Sequence, residues 1–306
     1  MSNCPVCSEN KGLRKIESFR EYTIYHCPSC DVVYSQPMKN PGSQWYEKGY
    51  VDDNMMNEFL PLPIIWWHRQ FLESTETYGK DLLDIGCGTG RFLYEARSLG
   101  YRVSGIDFNS ESIRIAKKRF GLNEVERLSV DALSAKYPEK KFDVITFFEV
   151  LEHMEDPNKF ISQVKALLKP GGTIALSVPN RERVLDSLGE GDYPPHHLTR
   201  WSKKALRIFL EKNGFEVRSI KVKEFTVDDV SLVMTHKLVG KAKRKLTKGV
   251  ATAASENRSA PFILRNYQLI KKLKDYALRG ALLPLIPALK VLKLNGWTIF
   301  CTARMK

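Results

Sequence analysis

Four of the six cysteines form two closely spaced pairs near the start of the chain, Cys4 with Cys7 and Cys27 with Cys30. Two residues separate the members of each pair, and a strand-like stretch of alternating residues lies between the pairs. Thiolates at this spacing are typical ligands of a tetrahedral zinc ion, and four of them leave no open position for catalysis. We therefore predict a structural zinc ribbon over residues 1–40; two redox pairs or unligated thiols are the alternatives.

A glycine-rich segment follows an apolar run that is typical of a buried parallel strand, and it reads Asp84-Ile85-Gly86-Cys87-Gly88-Thr89-Gly90. Its three glycines let the backbone turn sharply and approach a ligand closely. The helix predicted to follow offers free backbone N–H groups to an anion. The segment therefore predicts a nucleotide-type ligand, although a dinucleotide site uses a related glycine spacing.

The order Asp-x-Gly-x-Gly-x-Gly resembles the first motif of class I S-adenosylmethionine-dependent methyltransferases, and matching elements continue from about residue 80 to 225. Asp107 ends a second predicted strand, where a carboxylate can accept hydrogen bonds from both ribose hydroxyls. The resemblance implies that Phe108 lies against the adenine and that Asp131 reaches its amino group. It implies cofactor contacts from Asp84, Gly86, Cys87, Gly88, Gly90, Asp107, Phe108, Asp131, Ala132, Leu133 and Phe148. Purely structural roles for Asp84, Cys87 and Asp131 are the milder alternatives.

Two adjacent histidines, His196 and His197, follow two prolines in a loop after the fifth predicted strand. Methyl transfer is an in-line displacement, and an alcohol nucleophile benefits from a base that takes its proton. The Pro-Pro-His-His segment resembles that of a bacterial methyltransferase subgroup linked to sugar and surface-polysaccharide pathways. We therefore expect a histidine base acting on a hydroxyl of a sugar or glycan-type acceptor. A structural loop in which one imidazole caps the helix beginning near Ser202 is the alternative.

A second group of polar residues, Glu149, Glu152 and His153, follows the fourth predicted strand. It resembles the Glu-x-x-Glu-His stretch of quinone O-methyltransferases, for which a divalent cation has been proposed. We predict that Glu149 lines the cofactor or substrate pocket as a third catalytic candidate, and a cation at this position is the alternative.

These residues require a doubly wound α/β fold, because the ligands of such sheets lie at the carboxyl ends of the strands. We predict a seven-stranded Rossmann-like methyltransferase sheet in residues 80–306, preceded by a helical lid or linker over 41–79. A strand-like stretch at 296–306 completes the sheet, so residues of about 226–295 form a helical insertion before the last strand.

Charge is uneven along the chain, since residues 235–306 hold 16 of the 48 Lys and Arg but only 2 of the 35 Asp and Glu. Such a basic segment predicts a solvated helical cap or a peripheral contact with an anionic membrane surface. No apolar run predicts a membrane span and no signal-peptide pattern is present, so a cytoplasmic protein is expected.

Carbon methylation of a sugar is an alternative to transfer to its hydroxyl oxygen, and three further functions are alternatives to the sugar acceptor. Methylation of a quinone or lipid-linked acceptor at a membrane surface fits the basic segment. A nucleic-acid methyltransferase is disfavoured, because Phe148-Glu149-Val150 replaces the motif of enzymes that methylate base amines and the basic segment lacks stacking aromatics. A non-catalytic scaffold would keep the cofactor fold and bind the cofactor without turnover.

Overall fold

A computed structural model of the chain describes residues 3–42, 64–74, 79–183, 190–226 and 294–306, with isolated positions 229, 280, 284 and 287. Residues 1–182, 187–223 and 297–306 group into one compact unit, and residues 183–186 with 224–296 group into another. Most of the predicted insertion and much of the predicted lid lie outside the described residues. The membrane contact expected of the insertion therefore stays a prediction.

The N-terminal module is a small antiparallel sheet beside the four cysteines. Its strands are β1 (Arg14–Phe19), β2 (Tyr22–His26) and β3 (Val33–Gln36). Ile24 and Tyr34 are buried on these strands, but so small a sheet encloses little apolar volume. The module therefore depends on contacts with the rest of the chain and on its cysteines.

The remaining elements alternate between strands and helices, as expected of a doubly wound fold. In chain order they are α1 (Trp66–Leu72), β4 (Asp81–Ile85), α2 (Arg91–Ser98), β5 (Arg102–Asp107), α3 (Ser110–Phe120), β6 (Val125–Arg127), α4 (Val130–Lys136), β7 (Phe142–Phe148), α5 (Pro157–Leu167), β8 (Leu168–Pro179), β9 (Thr199–Arg200), α6 (Lys203–Lys212), β10 (Phe215–Glu224) and β11 (Asn295–Met305). Short 3-10 turns follow β7 at Leu151–His153 and precede β9 at Glu190–Asp192.

Seven strands form one mixed sheet in the order β10-β11-β8-β7-β4-β5-β6. Strand β11 runs antiparallel to β8, whereas β4, β5, β6, β7 and β8 pair in parallel. The predicted doubly wound, Rossmann-like α/β fold with a seven-stranded sheet is therefore confirmed. Strand β8 starts at Leu168 and includes the Lys169-Pro170-Gly171-Gly172 segment.

The central strands are apolar because helices cover both of their faces. Leu82 and Leu83 on β4 and Val144 and Ile145 on β7 are fully buried. Side chains before the helices fix where they begin, for example Asn109 before α3 and Asp156 before α5, each accepting a hydrogen bond from a backbone N–H of the first turn.

The N-terminal sheet is completed by the catalytic domain. Strand β9 pairs antiparallel with β3, with Val33 opposite Arg200 and Tyr34 opposite Thr199, so the small sheet has the order β1-β2-β3-β9. None of the helices in the described ranges has the length and apolar character that a bilayer span requires.

Candidate active site and candidate zinc site

The glycine loop lies between β4 and α2, and its three glycines have φ angles of 75° at Gly86, 51° at Gly88 and 79° at Gly90. These left-handed values favour glycine. A Cβ at Gly86 would lie 2.7 Å from a methyl carbon of Val150, whereas no atom lies within 4 Å of the corresponding position at Gly88. The loop is therefore closely packed against the turn after β7 and open at its centre, where a ligand can approach the backbone.

Asp107 ties this loop to the end of β5. Its Oδ2 accepts a hydrogen bond of 2.8 Å from the backbone N–H of Gly88, and its Oδ1 accepts one of 2.8 Å from that of Asn109. Burial raises the pKa of this carboxyl above its ordinary range. Each carboxylate oxygen has a second lone pair, so the group can still accept hydrogen bonds from two ribose hydroxyls.

Asp84 and Cys87 are buried beneath the loop. Thr146 Oγ1 donates a hydrogen bond of 2.6 Å to Asp84 Oδ1, and burial raises the pKa of Asp84 to about 8. Burial also raises the pKa of the Cys87 thiol, whose Sγ lies against Gly105. A buried thiol of raised pKa is a poor nucleophile, so Cys87 fills space between the loop and β5.

The residues predicted to contact the adenine lie further along the same edge. Phe108 is 39% exposed, so its ring is available to a ligand. Asp131 lies in the first turn of α4, where its carboxylate accepts a hydrogen bond from Gln163. Ala132 is half-buried beside it, and Leu133 is buried.

The turn after β7 brings two glutamates to the carboxyl edge of the sheet. Glu149 has a left-handed φ of 55°, and its Oε1 accepts a hydrogen bond of 2.8 Å from Ser177 Oγ on β8. Glu152 is 1% exposed, and among the described residues neither of its carboxyl oxygens has a hydrogen-bond partner. Burial, followed by the charge of Glu149, raises the pKa of Glu152.

Three imidazoles meet beside these glutamates. The ring centroids of His153, His196 and His197 lie 4.5 to 5.0 Å apart. Nδ1 of His153 lies 2.6 Å from the backbone oxygen of His196, and Nδ1 of His196 lies 2.7 Å from that of Gly191. One ring nitrogen of each histidine lies within 4.8 Å of those of the other two. The cluster can therefore pass a proton or hold a cation, and burial keeps the pKa of His196 below its ordinary value.

His68 was not among the residues predicted from the sequence. It lies on α1, with its ring centroid 5.0 Å from that of Phe92 and 5.1 Å from that of Phe148. Its Nδ1 is buried without a hydrogen-bond partner among the described residues, and burial lowers its pKa to about 3. A helical Trp66-Trp67-His68 sequence was the available signal, but only the tertiary structure places it beside Phe148, a predicted cofactor contact.

The four N-terminal cysteines are brought together as predicted. The Sγ atoms of Cys4 and Cys30 lie 3.6 Å apart, those of Cys7 and Cys27 lie 3.5 Å apart, and all four lie within 4.8 Å of one another. Zinc–sulfur bonds of about 2.3 Å in a tetrahedron require sulfur–sulfur distances of about 3.8 Å. The four thiols are not joined by disulfides, so the residues fit one zinc ion.

A comparison with protein families identifies the family to which the chain with this glycine loop belongs. Residues 57–220, more than half of the chain, match the family model described as a methyltransferase domain. The chain is a class I S-adenosylmethionine-dependent methyltransferase. Asp107 and the opening at Gly88 fit the ribose and the backbone approach of that cofactor. The cysteine module lies outside the matched residues.

Two relatives bear on the class of methyl acceptor. A ubiquinone biosynthesis O-methyltransferase of Actinobacillus pleuropneumoniae is 32% identical over 226 residues, which cover 59% of this chain and 95% of the relative. One from Pasteurella multocida is 34% identical over 228 residues, covering 59% and 94%. The expected sugar or glycan acceptor and the link to polysaccharide biosynthesis are therefore wrong. A histidine that removes a hydroxyl proton does not distinguish a sugar from a ring hydroxyl, so the loop could not have decided the acceptor.

Solved structures show the fold alone. The [4+2]-cyclase SpnF is 20% identical with a TM-score of 0.52, and the alignment covers 87% of this chain and 97% of that one. Phosphoethanolamine N-methyltransferase 2 of Haemonchus contortus, in complex with S-adenosyl-L-methionine, is 17% identical with a TM-score of 0.50, covering 86% and 58%. Since these proteins are named for different reactions, the fold does not choose the acceptor.

Proposed function

We propose that this methyltransferase transfers the methyl group of S-adenosylmethionine to a ring hydroxyl of a quinone-type aromatic acceptor. The observation that carries the proposal is the similarity to the two ubiquinone biosynthesis O-methyltransferases over nearly their whole length. A quinone has no hydroxyl of its own, so the methylated form is a hydroxylated or reduced ring that carries a phenolic hydroxyl.

The imidazole cluster supplies a proton acceptor for that hydroxyl. His196 has a pKa below its ordinary value because it is buried, so it is neutral at physiological pH and can accept a proton. The hydroxyl oxygen attacks the methyl carbon, the carbon–sulfur bond breaks, and the proton passes to His196 or His197. A positioned base of this kind contributes roughly 10²–10⁴-fold to rate.

The residues at the ends of β4 and β5 would hold the cofactor at the same edge of the sheet. Asp107 would accept hydrogen bonds from the ribose hydroxyls, the glycine loop would lie against the amino acid portion, and the exposed ring of Phe108 would lie against the adenine. Val150 connects the two halves of the site, since it contacts Gly86 and belongs to the turn that leads to His153. Glu149 is held at the end of β7 by Ser177, which places its carboxylate at the same edge as the histidines.

The acceptor is tested with radiolabelled S-adenosylmethionine and three probes: 3,4-dihydroxybenzoate, its octyl ester and methyl α-glucoside. We expect transfer to the dihydroxybenzenes, faster for the apolar octyl ester, and no transfer to the glucoside. His196→Ala or His197→Ala should lower turnover more than tenfold while the dissociation constant of the cofactor stays within about twofold. If neither dihydroxybenzene is methylated, the proposed acceptor class is refuted. If both histidine variants keep full turnover, the proposed base is refuted.

We further propose that the four cysteines hold one structural zinc ion. Freshly reduced protein should contain about one zinc per chain, as one tetrahedral four-thiolate site requires. Cys7→Ser should lose most of the metal, because serine is a poor ligand for it. Cys301→Ala, which removes a buried thiol from β11, is the matched control and should keep it. Reduced wild-type protein without zinc would refute the site.

A further inference from the structure

Asp31 is a hydrogen-bonding centre at the border between the cysteine module and the catalytic domain. It directly follows Cys30 and has a left-handed φ of 64°, which its short polar side chain tolerates. Its backbone N–H donates to the backbone oxygen of Cys27, so it closes the turn that holds the second cysteine pair. The position of its side chain is therefore set by the fold of the cysteine module.

The Asp31 side chain reaches both chain segments that flank the histidine loop, defined here as residues 190–198. Nη2 of Arg181, just after β8, donates a hydrogen bond of 2.9 Å to Asp31 Oδ2, and its Nη1 donates one of 2.8 Å to the backbone oxygen of Asp31. The hydroxyl of Ser202, which caps α6, donates to the same Oδ2. His26 Nε2 lies 2.9 Å from Oδ1. One carboxylate thus joins the module to the residues before and after the loop.

Neighbouring contacts hold the loop in the same way. The backbone N–H and the hydroxyl of Ser35, on β3, both donate to the backbone oxygen of Leu198, at 2.9 and 3.2 Å. The backbone N–H of Leu198 in turn donates to the backbone oxygen of Glu152 at 2.8 Å. The last residue of the loop is therefore fixed against the module, one residue away from His197.

Strand β1 of the module also contacts the loop, through side chains. Glu17 on β1 accepts a hydrogen bond of 3.0 Å from the Tyr193 hydroxyl, and its carboxylate lies 3.2 Å from Arg200 Nη1. The ring of Phe19 stacks on that of Tyr193 with centroids 4.3 Å apart. Strand β1 therefore contacts one residue before the histidine pair, Tyr193, and one after it, Arg200.

We propose that Asp31 is a positioning residue, through which the cysteine module holds His196 and His197 in the orientation needed at the reacting hydroxyl. The inference rests on the proposed function, because it assumes that these histidines act on the acceptor. The cysteine module is on this account a part of the active site, and Asp31 touches neither substrate nor cofactor. A displacement of about 1 Å in a reacting group is enough to cost about 100-fold in rate, so the loop must be held at both ends.

The test compares Asp31→Ala with Asp31→Asn and with a matched control, Glu9→Ala. Glu9 lies beyond the first cysteine pair, as Asp31 does beyond the second, and its carboxylate accepts from the backbone N–H groups of Asn10 and Lys11. Four quantities are measured on the full-length protein: hydrogen exchange of peptides covering 190–198, zinc content, cofactor affinity by calorimetry, and turnover on octyl 3,4-dihydroxybenzoate.

For Asp31→Ala we expect at least tenfold faster exchange in the histidine loop and at least a tenfold fall in kcat, with zinc content and cofactor affinity within about twofold of wild type. Asp31→Asn keeps an acceptor for Ser202 but loses the charge opposite Arg181, so both effects should be smaller. Glu9→Ala should match wild type in all four quantities.

Two outcomes would overturn the inference. Unchanged loop exchange in Asp31→Ala means that Asp31 does not hold the loop, and faster exchange with unchanged kcat means that holding it does not matter for the reaction. If the alanine variant loses zinc, the asparagine variant decides by the same two criteria. Hydrogen exchange is measured without a methyl acceptor, so it reports on the loop contacts even if the proposed acceptor is wrong. The His196 and His197 variants test the proposed base separately.

Discussion

The carboxylates at the two edges of the central sheet differ in their ion pairs and in the direction of their pKa shifts. At the amino edge, Asp81 begins β4 with Arg102 Nε 2.7 Å and Lys169 Nζ 2.7 Å from its oxygens, and Lys169 also lies 3.0 Å from Asp143. The hydrogen bond from Arg102, followed by that from Lys169, holds the pKa of Asp81 well below its usual range. These carboxylates are paired with cations and partly exposed.

The carboxyl edge holds Asp84, Asp107 and Glu152, which are all buried, and burial raises the pKa of each. Among the described residues no Lys or Arg ion pair reaches any of the three. Buried carboxyls without a counter-charge lower the stability of the fold, and they persist where a ligand or a reaction uses them. The amino edge therefore pairs its carboxylates with cations, whereas the carboxyl edge has the burial and the raised pKa values that are typical of binding and catalytic sites.

Removing one aspartate from each edge is the strongest test of this difference between the two edges. Asp107→Ala should weaken S-adenosylmethionine binding by more than 100-fold, because two hydrogen bonds from ribose hydroxyls to a charged group are each worth about 1.5–3 kcal/mol. Calorimetric titration with S-adenosylmethionine and its demethylated product measures the effect. Asp107→Asn keeps its acceptor oxygen and should lose less.

Asp81→Ala is the matched control for that titration, since it removes an aspartate from the amino edge of the neighbouring strand. Its cofactor affinity should stay within about twofold of wild type. Equal losses in the two variants would show that the effect on binding comes from a general loss of stability rather than from the ribose contact.

The second test concerns the buried carboxyl of Glu152. Its pKa in the folded protein lies above the unfolded value of about 4.3, so wild-type stability is lost as the pH rises above that value. Glu152→Gln has no proton to lose, so its stability relative to wild type should be greater at pH 8 than at pH 5. Thermal unfolding at pH 5 and pH 8 measures the difference.

Glu139→Gln, at an exposed position, controls for the loss of one carboxylate and should show no such increase. A Glu152→Gln variant that is less stable than wild type at pH 8 would mean that the carboxylate is ionised in the folded protein and stabilised there.

Local spacing, together with the resemblance to methyltransferases, was enough to predict the glycine loop, the end of β5 at Asp107 and the clustering of the four cysteines. The glycine loop, Asp107 and the two cysteine pairs each depend on residues near one another in the chain, and their geometry follows from strand, turn and helix alone. The seven-stranded doubly wound sheet followed from the same elements, because parallel connections in such a sheet allow few arrangements.

The acceptor side could not be predicted in this way. His153 contacts His196 across 43 positions of sequence, and Ser35 contacts Leu198 across 163. Such pairs carry no local signal, so neither the meeting of three imidazoles nor the completion of the small sheet by β9 was foreseen. His68 was missed for the same reason, since its burial beside Phe148 depends on how α1 packs on the sheet.

The smallest expected effect is that of Asp81→Asn on stability, and it tests the other half of the comparison. Exposed ion pairs contribute at most about 1 kcal/mol, so the variant should be destabilised by less than that at pH 7. Because the pKa of Asp81 is lower in the folded protein than in the unfolded chain, its contribution is present above pH of about 4 and is lost as the pH falls further. Urea unfolding at pH 7 and pH 3 should therefore show the two proteins converging at the lower pH. A difference that grows on acidification would mean that Asp81 is not stabilised as a charged group, and the contrast between the two edges would no longer rest on charge.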